Sequence, residues 1–86
     1  MKTYRVVFEK RSYNELKKID WNPADNIVEF IDSENAVVIT DIEKFQAYLS
    51  WLSAEKGMNE KGEINQYGIT LEDIYDEFLR AVLVEA

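Results

Sequence analysis

At the start of the chain, Tyr4, Val6 and Phe8 alternate with Thr3, Arg5, Val7 and Glu9. A period of two marks a strand with one buried face. Residues 3–11 are therefore expected to form a strand whose outward side is mostly polar and basic. The alternation returns more weakly over residues 15–21, where Lys17, Ile19 and Trp21 oppose Leu16, Lys18 and Asp20. That segment reads as a second, short strand.

Asn22-Pro23-Ala24-Asp25-Asn26 is turn chemistry. Proline presets φ at the second turn position, and asparagine at 26 tolerates a left-handed backbone. The same residues also suit a helix start, with Asn22 as cap and Pro23 in the first helical position. The β-branched and aromatic run 27–31 favours a strand. It leads through Asp32-Ser33-Glu34-Asn35 into the apolar run 36–40, a hairpin pattern with Asn35 in the left-handed slot.

The period then changes. Thr40 and Glu43 have the spacing of a capping box, and a helix is expected over 41–56. Ile42, Phe45, Leu49 and Leu52 share its apolar face, and Tyr48 flanks it. Trp51 falls about 130° from the centre of that face. All three glycines, at 57, 62 and 68, follow within a dozen residues. They suggest a loop over 57–69 with a short extended piece near Ile64. Connections of about 12 residues are long for a compact domain and often functional. Thr70 is the expected cap of a second helix over 71–84. Leu71, Ile74, Tyr75, Phe78, Leu79 and Val82 form its apolar side, opposite Glu72, Asp73, Asp76, Glu77 and Arg80.

These elements predict one α+β domain over residues 1–86. A small antiparallel sheet of three to four strands (about 3–40) is followed by two helices (about 41–56 and 71–84) packed on one face. The other sheet face is expected to carry Val7, Ile27 and Ile31 beside Arg5, Glu9 and Glu29. It is neither clean core nor clean surface, which suits either a homodimer contact or partial cover by the glycine loop.

Composition narrows the function. The hydrophobic fraction of 47% in 86 residues is enough for one packed core. No apolar run approaches the roughly 20 residues of a membrane span, and the N-terminus has no long apolar segment of the kind a signal peptide needs. With no cysteine, a reducing, cytoplasmic setting is the expectation. The chain also has no histidine, which removes the usual base for a serine or threonine nucleophile and the usual zinc ligands. No glycine-rich phosphate motif and no calcium-loop pattern occurs. Glu15-Leu16-Lys17 has a nuclease-like E-x-K spacing, but no aspartate precedes it. A glycosidase-like carboxylate pair has no distinguishing position among seventeen acidic residues. No catalytic residue, cofactor or metal ligand is assigned, and the chain is expected not to be an enzyme.

Charge is the remaining lead. Residues 1–18 hold six basic side chains against two acidic ones, whereas residues 19–86 hold four against fifteen, for a net −7. Arg5, Lys10, Arg11, Lys17 and Lys18 are interleaved with aromatics, but Tyr4 and Phe8 are expected to point inward. No stacking platform for nucleic acid results, and direct nucleic-acid binding is not expected. Glu72, Asp73, Asp76 and Glu77 pack four charges into about 7.5 Å of helix axis. That approaches duplex DNA, with one charge per about 1.7 Å. Like charges at 72/76 and 73/77 cost helix stability. Against this, a first-turn position would favour Glu72 and Asp73 through the helix dipole, and Arg80 could answer Asp76 and Glu77. Both readings stand at this point. Trp51 either packs on a neighbouring element or meets a partner, with Tyr67 and Met58 as companions; Trp21 reads as a lid at the sheet edge.

The expected function is a non-enzymatic acidic protein-binding module. By class-level analogy it would act as an inhibitor or DNA mimic on a basic surface of a nucleic-acid-handling protein, as phage anti-defence, immunity and antitoxin proteins do. Glu72, Asp73, Asp76 and Glu77 would steer, and Trp51 and Tyr67 would anchor. The alternative is a homodimeric structural or assembly subunit.

Overall fold

In the computed structural model, which describes residues 3–85, four short strands form one antiparallel sheet. They are β1 (Tyr4–Val7), β2 (Val28–Ile31), β3 (Ala36–Ile39) and β4 (Val84–Glu85), in the order β2-β3-β1-β4. Lys2, one of the basic side chains counted above, lies outside the described residues. Helices α1 (Lys10–Lys18), α2 (Ile42–Lys56) and α3 (Gln66–Arg80) complete the fold. The α+β architecture, the presence of two long helices after the hairpin and the placement of the first of them are as the periodicity predicts.

The register explains which side chains meet. Tyr4, Ile39 and Val28 stand side by side, as do Val6, Val37 and Phe30. These residues face inward, where Val6, Val37 and Ile39 join Tyr13, Leu16, Phe45, Leu49, Leu52, Leu71, Ile74 and Phe78 in one buried cluster. The intervening rows, Arg5–Val38–Glu29 and Val7–Ala36–Ile31, point away from the helices.

Two expectations fail here. Strand β1 ends at Val7, and the segment read as a second strand over 15–21 is instead α1 with its tail. Ser12, Tyr13 and Leu16 form the buried side of α1, a helical spacing that the accidental alternation of lysines with Ile19 and Trp21 conceals. Lys17 and Lys18 occupy the last turn, where the helix dipole favours cations. Trp21 behaves as the expected lid. Its ring stacks on Phe45 at 5.4 Å and 5°, and its Nε1 donates to the Leu16 carbonyl at 3.1 Å, a second bond to a carbonyl at the end of α1 that also accepts from the Ile19 N–H at 3.2 Å.

Pro23 sits in a single 3-10 turn, and Asp25 and Asn26 then adopt left-handed backbone in succession. Ile27 follows and is buried. It was expected on the outer sheet face from its parity with Glu29, but paired strand begins only at Val28, so that parity does not extend back to 27. The β2–β3 turn is as expected, with Asn35 left-handed at φ 51. Thr40 does not form the expected capping box. Its N–H and hydroxyl both donate to the Ile27 carbonyl, closing the open end of the hairpin, and Asp41 caps α2 by accepting from the Lys44 N–H at 3.0 Å.

Helix α3 starts five residues before the expected Leu71. Asn65 is the cap: its side-chain oxygen accepts from the Gly68 N–H at 2.8 Å, and its amide donates to the Lys56 carbonyl at 2.9 Å. Thr70 lies inside the helix, bonding back to the Gln66 carbonyl. The connection shrinks to residues 57–65, with the expected extended piece present as a bridge between Met58 and Ile64. Gly68 is helical because α3 must touch the end of α2; a Cβ there would sit 2.2 Å from the Gly57 carbonyl oxygen. After Arg80 the chain leaves the helix and pairs beside β1, so Leu79 and Val82 are exposed rather than core.

Tyr13 ties α1 to the hairpin. Its hydroxyl donates to Asp32 at 2.6 Å, and Lys17 donates to the same oxygen at 2.7 Å. Burial, aided by that hydrogen bond and the nearby carboxylate charge, pushes the Tyr13 hydroxyl up from 10.0 to about 12. Lys17 and Tyr13, bonding to Asp32, lower its carboxyl from the ordinary value.

Gly68→Ala is expected to lower the urea midpoint, at a cost of about 1–3 kcal/mol, because the added methyl overpacks a backbone contact. In an alkaline absorbance titration, one tyrosine should ionise at about 12. The stability linked to neutral Tyr13 is complete below its unfolded value of 10.0 and is lost as pH rises through about 12. Asp32→Asn should move that step downward only in part, since burial is the larger cause.

Candidate protein-binding site

The early start of α3 changes the setting of its carboxylates. With Gln66 as the first helical residue, the first turn contains no acidic side chain. Glu72 and Asp73 fall in the second turn, beyond the reach of the dipole stabilisation, which fades within the first. Glu72, Asp73 and Asp76 are exposed. Among the described residues none of the three is in an ion pair, and Arg80 bridges neither Asp76 nor Glu77.

Glu77 does something different. Helix α1 has no side-chain cap of its own, because Glu9 occupies the cap position with its backbone carbonyl bonded to Tyr13 but its side chain making no cap bond. Glu77 supplies the cap from α3. One carboxylate oxygen accepts from the Glu9 N–H at 2.5 Å, and the other accepts from the Ser12 hydroxyl at 2.5 Å. A carboxylate at a helix N-terminus is favoured by both hydrogen bonding and the dipole. Glu77 is thus committed within the chain.

Several other carboxylates are similarly engaged. Asp25 bonds Lys44, Asp32 bonds Lys17 and Tyr13, Glu34 pairs with Arg5 at 2.5 Å, and Asp41 caps α2. The remaining trio sits over two grooves. Glu72 and Asp76 rim an apolar groove of about 470 Å³ between α2 and α3, floored by Leu49, Leu71, Tyr75 and Met58. Asp73 and Asp76 rim a smaller, polar groove of about 290 Å³ between α1 and α3, which also contains Arg11, Glu15 and Arg80.

Trp51 lies elsewhere on α2. It is 49% exposed and stacks on Tyr48 at 5.8 Å and 14°, not on the glycine segment. Tyr48 in turn leans on Trp21, and its hydroxyl donates to the Asp20 carbonyl at 2.5 Å. With Pro23, Ala24, Lys44 and Ala47, Tyr48 and Trp51 line a shallow depression of about 400 Å³. Tyr67 does not join Trp51 at the surface. It is half-buried against the core, and burial, with Tyr48 and Glu15 nearby, raises its hydroxyl pKa.

The structure therefore brings Glu72, Asp73 and Asp76 together, holds Glu77 inside the fold, and separates Trp51 from both grooves. The apolar groove was missed from sequence. Its signal was Met58, an exposed apolar residue beside the acidic helix. Among the described residues no group of three or more acidic side chains is arranged to hold a metal ion, and no helix is long and apolar enough to cross a membrane.

Glu77→Ala should cost about 1–2 kcal/mol in urea denaturation, the scale of a lost helix cap. Glu72→Ala and Asp76→Ala should stay within about 0.5 kcal/mol, as surface changes do. Compared with protein-family models, curated proteins and solved structures, the chain matches none.

Proposed function

We propose that this chain is a non-enzymatic module that binds a basic protein surface through α3, with a nucleic-acid-handling protein as the class of partner. The observation that carries this reading is the exposure of Glu72, Asp73 and Asp76, none of them in an ion pair among the described residues, with Glu72 and Asp76 beside an apolar groove. Three charges over residues 72–76 span about 6 Å of helix axis. A positive groove built for phosphates spaced about 1.7 Å apart along a duplex offers the complementary field.

Charge and apolar area divide the work. The carboxylates accelerate encounter and set orientation, while Leu71, Tyr75 and Met58 provide area to bury. Trp51 forms a second contact point. Stacking on Tyr48 already restricts its ring, so little side-chain entropy remains to be lost on binding, and tryptophan is enriched among residues that dominate interface energies.

The test is affinity capture from host lysate at low and high salt, with the wild-type chain and with the E72K/D73K/D76K variant. Wild type should recover a basic nucleic-acid-handling protein at low salt. The triple reversal should reduce its association rate at least about tenfold and flatten the salt dependence. Capture unaffected by the reversal would remove the reading.

A further inference from the structure

We propose that the outer face of the sheet binds a second copy of this chain across a two-fold axis running along β3. All three helices cover the inner face, and none of Arg5, Val7, Glu29, Ile31 or Val38 belongs to the buried cluster. Val7 is 55% exposed, Glu29 is exposed, and Ile31 and Val38 are half-buried. The face is thus mainly apolar and uncovered by any helix, with only the small Ala36, between Val7 and Ile31, fully buried. Its formal charges, Arg5 and Glu29, cancel in a chain of net −7.

The register says what fits it. Arg5 and Glu29 flank Val38 in one row, and Val7 and Ile31 flank Ala36 in the next. A two-fold interface must be complementary to itself. An axis along β3 preserves each row and exchanges the positions that flank β3, leaving Val84, beyond Arg5 on β4, outside the contact. Arg5 then faces Glu29 of the second copy, Val7 faces Ile31, and Val38 and Ala36 face themselves. An in-plane axis across the strands would instead set Arg5 against Val7 and bury a charge on a methyl surface.

The approach is sterically reasonable. Stacked sheets lie about 10 Å apart, a gap that an arginine and a glutamate reaching from opposite sides can close. Glu29 is in no ion pair among the described residues, and Arg5 meets Glu34 through one nitrogen of its guanidinium, which has further donors to offer. Three strands of four residues make a contact smaller than the roughly 800 Å² per partner of a standard stable interface. The dimer is accordingly weak and concentration-dependent.

Sedimentation of the pure chain from about 10 μM to about 1 mM should show the mass rising from 10.1 kDa toward twice that value. Arg5→Glu alone sets two acids against each other at each contact, and Glu29→Arg alone sets two bases. Each should weaken self-association at least about tenfold. An equimolar mixture of the two variants restores an opposite-charge pair at both contacts and should recover dimer. The R5E/E29R chain should recover it as well. Circular dichroism on each variant reports whether the fold persists, and the mixing readout compares chains already shown to be folded. A constant 10.1 kDa mass at all concentrations overturns the proposal. So does a dimer indifferent to the single reversals, or one that the mixture fails to restore. No other protein is needed for any of these measurements, so their outcome is separate from that of the basic-partner reading.

Discussion

Four-residue strands give each of the three longer strands only two inward side chains: Tyr4 and Val6, Val28 and Phe30, Val37 and Ile39. A sheet this narrow cannot make a core by itself, so the helices must supply most of the apolar volume. They do so around Phe45, which stacks on Trp21 on one side and meets Phe78 at 5.0 Å on the other. The arrangement uses one whole face of each helix. Acidic side chains have no place left but the outer faces, and no helix covers the other side of the sheet.

That constraint also decides what could be read from sequence. The β2–β3 hairpin and α2 were legible because their signals are local: β-branched runs around Asn35, and apolar residues at helical spacing. Helix α1 was not legible. Only Ser12, Tyr13 and Leu16 turn inward, and the cap that would have marked its start arrives from Glu77, far along the chain. The start of α3 was misplaced because Asn65 and Thr70 are both good capping residues. Gly68 resembled a loop residue, although its real role is to let two helix ends touch. A two-residue strand such as β4 leaves no periodic trace.

The candidate site divides along the same line. The crowding of carboxylates at 72–77 is visible in the sequence, but four similar residues carry different duties. Nothing in the sequence separates Glu77, which bonds the start of α1, from Asp76, which faces solvent. The distinction arises from how α3 lies against α1. On the sheet, Val7 and Ile31 were correctly read as outward and Ile27 was not. The opposition of Arg5 and Glu29 across Val38 depends on strand pairing, which residue types alone do not specify.

The cap on α1 couples distant parts of the chain in time as well as space. The hydrogen bonds to Glu9 and Ser12 link residues 68 and 65 positions apart, and β1 borders on β4 from the opposite end. During synthesis from the N-terminus, β1 and α1 precede the hairpin that pairs with them and bonds to them, and the cap on α1 arrives only later, with α3. The basic segment over residues 5–18 therefore lacks this cap until α3 has been made. Its concentration of lysine and arginine helps keep a waiting chain soluble until the final helix secures it.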